Sequence, residues 1–141
     1  MQQRVWLPIR VENYCKNHYP LPKIKYAMIS WNIIDSPDSL EKAVQLSADK
    51  DIVILKHSTT CSISHMAKMR LEDQWDFADN IIPFYLDLKA YRNVSDQITN
   101  QFSVHHESPQ ILLIRNGACI YDASHLDISV SELRETLAWH A

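Results

Sequence analysis

The stretch from Asp51 to Ser64 reads Asp-Ile-Val-Ile-Leu-Lys-His-Ser-Thr-Thr-Cys-Ser-Ile-Ser, and it constrains the fold more than any other part of the chain. The consecutive apolar residues Ile52 to Leu55 lack the alternation of a half-exposed strand, which predicts a central strand buried on both faces. A polar turn follows, and Cys61 then stands where helical spacing begins. A strand covered on both faces requires layers of helix above and below it. A thiol at a helix N-terminus is favoured as thiolate, because unpaired backbone N–H groups and the helix dipole both stabilise negative charge there. Cys61 is therefore the first candidate for chemistry.

With 141 residues, 46% of them hydrophobic and 22% charged, the chain has the length and balance of one globular domain. Its formal net charge of -3 is unevenly placed: Arg4, Arg10, Lys16, Lys23 and Lys25 stand against Glu12 in residues 1–27, which leaves the remainder distinctly acidic. Nucleic acid is not an expected partner of such a body. No apolar run approaches a membrane span and no secretory h-region is present, so the expected location is cytoplasmic, with no membrane association. Three cysteines, Cys15, Cys61 and Cys119, have neither disulfide-scaffold nor zinc spacing, and free thiols fit a reducing compartment. No metal site is expected.

Residues 1–27 hold Pro8, Pro20 and Pro22 and no sustained periodicity, which reads as an irregular extension. The domain is placed at 28–141, with Met28 as a candidate alternative start. Ile29–Ile34 predicts a first strand. Ser36-Pro37 then supplies an N-cap hydroxyl and a proline at the first helical position, with Leu40, Ala43 and Val44 as the apolar stripe and Asp49–Asp51 as the exit. Beyond Cys61, the residues Ile63, Met66, Ala67 and Leu71 fall at helical spacing, with Lys68, Arg70 and Glu72 expected outward. Ile81–Leu88 predicts a third strand, and Val94, Ile98 and Phe102 a short helix capped by Ser95. Ile111–Arg115 and Ala118–Tyr121 flank Asn116-Gly117, a hairpin signal because both central residues of a type I′ turn need positive φ. Ser129 with Glu132 forms a capping box, and Ile128 with Leu133 a hydrophobic staple, opening a last helix through Leu137. The predicted order is β-α-β-α-β-α-β-β-α, a three-layer α/β/α domain with a central mixed sheet.

That order, with a thiol opening the helix after a central strand, is the thioredoxin arrangement. It places a cis-proline ahead of the final hairpin, and Ser108-Pro109 stands directly before Gln110 and Ile111, so a cis bond is expected at Pro109. The segment His57-Ser58-Thr59-Thr60-Cys61-Ser62-Ile63-Ser64, together with His106-Glu107-Ser108-Pro109-Gln110 and Asn116-Gly117 through His125, closely resembles the YtxJ-type monothiol bacilliredoxins. The resemblance covers the chain from about Met28 onward. It implies a thioredoxin-like protein that removes bacillithiol from mixed disulfides with protein cysteines, acting on S-bacillithiolated proteins with bacillithiol as co-substrate and no bound cofactor. A monomer is expected.

The residues add a constraint of their own. Dithiol thioredoxin folds use Cys-x-x-Cys, and here the second position is Ser64. A cysteine without that resolving thiol needs a second thiol from solution. Lowering a thiol pKa from about 8.5 to about 6.5 raises its thiolate fraction near neutrality roughly twelvefold, while a Brønsted slope near 0.4–0.5 costs about eightfold in nucleophilicity. The gain is clearer when Cys61 is the leaving group. A depressed Cys61 pKa is expected, with Ser64 Oγ one turn along as a donor to the thiolate. Cys61 and Ser64 are thus the catalytic candidates, and Thr60, Ser62, Ser108 and Pro109 the substrate-binding ones.

His57 and His106 would stabilise the thiolate if they approach it; with His65, they are otherwise read as hydrogen-bonding or solvent-facing groups. Glu107 is read as a surface residue, Cys119 as core, and Trp31, Trp75 and Trp139 as packing residues. Monothiol glutaredoxins share an iron–sulfur cluster through Cys-Gly-Phe-Ser, but Cys-Ser-Ile-Ser lacks the glycine and the aromatic, so a cluster is not expected. Two alternatives stand beside the de-bacillithiolating reading: a non-catalytic thioredoxin-fold interaction module, and a reductase that uses another low-molecular-weight thiol such as glutathione or coenzyme A.

Overall fold

The computed structural model describes residues 28–141. The reading of residues 1–27 as an irregular extension, and Cys15 with it, falls outside the described residues. Five strands and four helices alternate as β1 (Asn32–Ile33), α1 (Pro37–Leu46), β2 (Asp51–His57), α2 (Ser62–Gln74), β3 (Ile81–Asp87), α3 (Arg92–Phe102), β4 (Gln110–Arg115), β5 (Ala118–Ser124) and α4 (Val130–Trp139), with a 3-10 turn at His125–Asp127. The sheet order is β1-β3-β2-β4-β5. β2 runs parallel to β3 and antiparallel to β4, so the sheet is mixed, with β2 at its centre. This is a thioredoxin-like α/β fold.

The continuous apolar run of β2 feeds both faces. Ile52 and Ile54 join Leu40 and Ala43 of α1 and Val94 and Ile98 of α3, while Val53 and Leu55 join Ala67 and Leu71 of α2 and Val130 and Leu133 of α4. Burying one such Leu or Ile side chain is worth about 1.5–3 kcal/mol, so these two layers fix where the strand ends. No helix among the described residues is long and apolar enough to cross a membrane.

Local signals explain most boundaries. Ser36 Oγ accepts the Ser39 N–H at 3.2 Å, and Ser39 Oγ in return accepts the Ser36 N–H at 3.0 Å, so α1 opens with a reciprocal capping box. At the hairpin, Asn116 and Gly117 take φ of 50° and 76°, and their N–H groups are received by Ser47 O and Ser47 Oγ, each at 2.8 Å. At α4, Ser129 Oγ accepts the Glu132 N–H at 3.4 Å, and Ile128 and Leu133 sit in one buried cluster.

Four expectations are corrected. The first strand is two residues rather than Ile29–Ile34, because pairing begins at Asn32–Phe84 and the position before Phe84 is Pro83, which has no N–H for a longer ladder. Helix α3 is preceded by Tyr91 as N-cap, and Ser95 lies buried inside the helix instead of capping it. The buried line of α2 is Ser64, Ala67 and Leu71, whereas Ile63 and Met66 are 48% and 59% exposed: the small Ser64, not an apolar residue, is the first to face the sheet. Trp139, in the last turn of α4 beyond the core contacts of Leu137, stands 87% exposed.

Candidate active site

Strand β2 ends at His57, and a tight turn delivers the cysteine: the Cys61 N–H donates to Ser58 O at 3.2 Å. Cys61 is itself the N-cap of α2, with extended backbone angles, and its carbonyl accepts the first helical hydrogen bond from His65 N–H at 3.1 Å. The thiol is free and partly exposed. Its pKa is held below the ordinary thiol value by the backbone N–H groups of Ser64 and Ile63, with the Ser64 hydroxyl adding to them; the little burial present acts the other way. The unpaired donors of a helix N-terminus thus do what the sequence position implied.

Ser64 is fully buried under this turn, and its Oγ accepts the Ser58 N–H at 3.4 Å. One side chain therefore touches the turn that carries the cysteine and acts on the sulfur. The Ser108–Pro109 peptide bond is cis. The β2–β4 register pairs Lys56 with Gln110, so buried Pro109 lies beside the end of β2, at the sheet edge from which the Cys61 turn departs.

The remaining sequence candidates separate. Thr60 Oγ1 accepts a 2.8 Å hydrogen bond from Lys89 Nζ, so the residue before the cysteine is tied to the turn after β3. That turn is set by Asp87, whose Oδ1 accepts the N–H groups of Lys89 and Ala90 at 3.0 and 3.3 Å. Ser62 is exposed on the first turn of α2. Ser108 Oγ is buried without a hydrogen-bond partner, next to the cis-proline. Lys89 was not anticipated; nothing in the sequence marks a lysine 28 residues beyond Cys61 as its neighbour except the fold itself.

The histidines are not an imidazolium cluster. His57 is 2% exposed, its Nδ1 hydrogen-bonded to the Tyr85 hydroxyl at 2.9 Å, and burial followed by the positive fields of His65 and Lys68 keeps its pKa below the ordinary value. His106 is likewise held down by burial and by Lys56. Both shifts favour the uncharged imidazole, and what favours the thiolate is the set of hydrogen-bond donors at the helix N-terminus together with Ser64. His65 Nε2 lies 3.0 Å from Thr59 O, bracing the same turn, with its ring edge-on to His57 at 5.0 Å. Glu107 pairs with His125 at 3.0 Å. Cys119 is the chemical opposite of Cys61: burial pushes its pKa up to about 11, and its Sγ donates to Tyr121 O.

Residues 32–133 match the family described as monothiol bacilliredoxin BrxC. The chain belongs to the monothiol bacilliredoxin family. Among solved structures, a protein assigned as an oxidoreductase with a thioredoxin fold is 31% identical, with a TM-score of 0.64 over 74% of this chain and 91% of that one. A thioredoxin from Malassezia sympodialis is 20% identical with a TM-score of 0.62, covering 88% of this chain and 97% of that one. Fasciola hepatica thioredoxin is 15% identical with a TM-score of 0.63, covering 78% and 99%. The last two similarities establish the fold alone. Bacilliredoxin membership and the 31% identical neighbour together support thiol redox activity; of the two cysteines of the described domain, Cys61 has its pKa lowered and Cys119 has its raised.

Proposed function

We propose that this bacilliredoxin removes bacillithiol from protein mixed disulfides through Cys61. The observation that carries the reading is a stabilised, accessible thiolate at the N-terminus of α2 with a serine, Ser64, at the position of a resolving thiol. In the first step the Cys61 thiolate attacks the bacillithiol sulfur of an S-bacillithiolated protein; a Cys61–bacillithiol disulfide forms, and the protein leaves as thiolate and takes a proton from solvent. In the second, a bacillithiol thiolate attacks the bacillithiol sulfur of that adduct. Bacillithiol disulfide is released and the Cys61 thiolate returns, so over the cycle the protein sulfur is reduced to the thiol while the one incoming bacillithiol is oxidised into the new disulfide.

Thr60, Ser62, Ser108 and Pro109 form the substrate-contacting surface in this reading. The protein acts as a cytoplasmic monomer, needs no resident cofactor because the small thiol supplies the electrons, and its partners are bacillithiol and its protein adducts. The test is an S-bacillithiolated target protein incubated with bacillithiol and either the wild type or Cys61→Ser, followed by mass spectrometry. Loss of the adduct only with the wild type supports the proposal. Equal loss with both, or none with either, would overturn it in favour of an interaction module; activity with glutathione adducts alone would point to a different small thiol.

A further inference from the structure

Lys56 is the largest fully buried side chain of the described domain, at 0% exposure in the central strand, and no carboxylate among the described residues lies within ion-pair distance of it. Its Nζ instead meets two uncharged partners, His106 Nδ1 at 2.9 Å and Gln110 Oε1 at 3.1 Å. Burying an ammonium group without a counter-ion is costly, so what it holds is informative. Gln110 is also fully buried, and its amide is saturated: Oε1 further accepts the Glu107 N–H at 3.4 Å, while Nε2 donates to His105 O at 2.8 Å and Asp122 Oδ2 at 3.3 Å. Residues 105, 106 and 107 are thus gathered onto two buried polar heads, one on β2 and one at the start of β4. Between those contacts and Gln110 stands the cis-Pro109. Because His106 accepts from Lys56 through Nδ1, its own proton sits on Nε2.

We propose that Lys56 is a positioning residue for the exchange reaction. Its amine clamps the 105–110 segment to the end of β2 and so fixes the cis-proline surface along which a mixed disulfide lines up with Cys61. The inference rests on the proposed function for its substrate and on the hydrogen-bond geometry for its mechanism. Thiol–disulfide exchange needs the attacking and leaving sulfurs aligned, and a misplacement near 1 Å is enough to cost about a hundredfold in a positioned reaction. Alkylation of Cys61 by iodoacetamide needs no such surface and reads the thiolate alone.

The experiment compares these two rates in wild type, Lys56→Met and Lys56→Gln, whose amide keeps a hydrogen-bond donor at position 56. Exchange is followed with a cysteine peptide carrying either bacillithiol or glutathione. The expected result is a loss of at least tenfold in kcat/KM for exchange in Lys56→Met, alkylation within twofold of wild type, and no lowering of the melting temperature; Lys56→Gln recovers part of the loss. Exchange within twofold of wild type would overturn the proposal, as would a parallel fall in exchange and alkylation, or failure of both variants to fold. Wild-type activity on the glutathione peptide alone would sink the bacillithiol reading and leave the comparison at Lys56 intact.

Discussion

Ser64 Oγ accepts the backbone N–H of Ser58 at 3.4 Å, from a side chain that is wholly shielded from solvent and also acts on the Cys61 sulfur. The residue standing where a dithiol protein has its second cysteine is therefore a brace for the turn, and its hydroxyl is one of the influences that lower the Cys61 pKa. Replacing it with alanine removes one of the contributions that lower the Cys61 pKa, so the pKa rises. The pH profile of Cys61 alkylation then moves to higher pH, and release of Cys61 from its small-thiol adduct slows by roughly threefold as the sulfur becomes a poorer leaving group. An unshifted profile would remove Ser64 from the chemistry.

Ser64→Cys tests the monothiol logic from the other side. The position faces the sulfur from one turn along α2, so the new thiol is expected to attack the Cys61 adduct and close an internal disulfide. The measured consequence is release of bacillithiol from the Cys61 adduct without added bacillithiol, and a protein that accumulates 2 Da lighter than its reduced form, roughly the mass of two hydrogens lost on oxidation.

Two buried groups make opposing contributions to alkaline stability. Burial, the largest influence on Lys56, brings its pKa down to about 8, against the raising fields of Asp96 and Glu107 and the lowering one of Arg92. Between pH 8 and 10.5 the unfolded chain binds more protons at this lysine than the native one, so stability rises with pH through that window. Cys119, pushed up to about 11 by burial, does the reverse: above pH 9 the unfolded thiol ionises first and stability falls. The wild type is expected to show little net slope from these two groups between pH 9 and 10.5. Relative to it, Lys56→Met loses stability across that range and Cys119→Ala gains, each by about 1–3 kcal/mol in urea unfolding.

Lys89 bonds Thr60 at an exposed site, and an exposed contact of this kind contributes only about 0–1 kcal/mol to folding. Lys89→Ala should therefore leave the melting temperature nearly unchanged while freeing the residue next to Cys61. A fall of severalfold in exchange with unchanged urea midpoint is the expected outcome; equal activity would make the contact incidental.

Much of this arrangement was legible in the chain. A short β-branched apolar run without alternation, ending in a polar turn, reads as an interior strand, Asn116-Gly117 favours a tight hairpin, and Ser36-Pro37 favours a helix start. What was hidden came from residues whose identity misleads. Ile63 and Met66 are apolar yet exposed beside the thiol, because the turn of α2 nearest the sheet belongs to Ser64. Lys56 reads as the polar end of a strand, and its burial becomes visible only when β4 brings Gln110 and the His106 loop over it. His57 takes the hydrogen-bonding role, but its partner, the Tyr85 hydroxyl, is on β3, at a pairing no local pattern encodes. The family match was carried by short separated motifs, whereas the contacts that tune them lie across strands.

The central claim is that Cys61 alone cycles through a mixed disulfide with a small thiol. Mass spectrometry of the reduced protein after treatment with bacillithiol disulfide tests it directly. The account predicts one bacillithiol adduct, located on Cys61, stable until free bacillithiol is added and then fully reversed. An adduct on Cys119 instead, or rapid conversion to a disulfide between Cys61 and another cysteine of the chain, would contradict it.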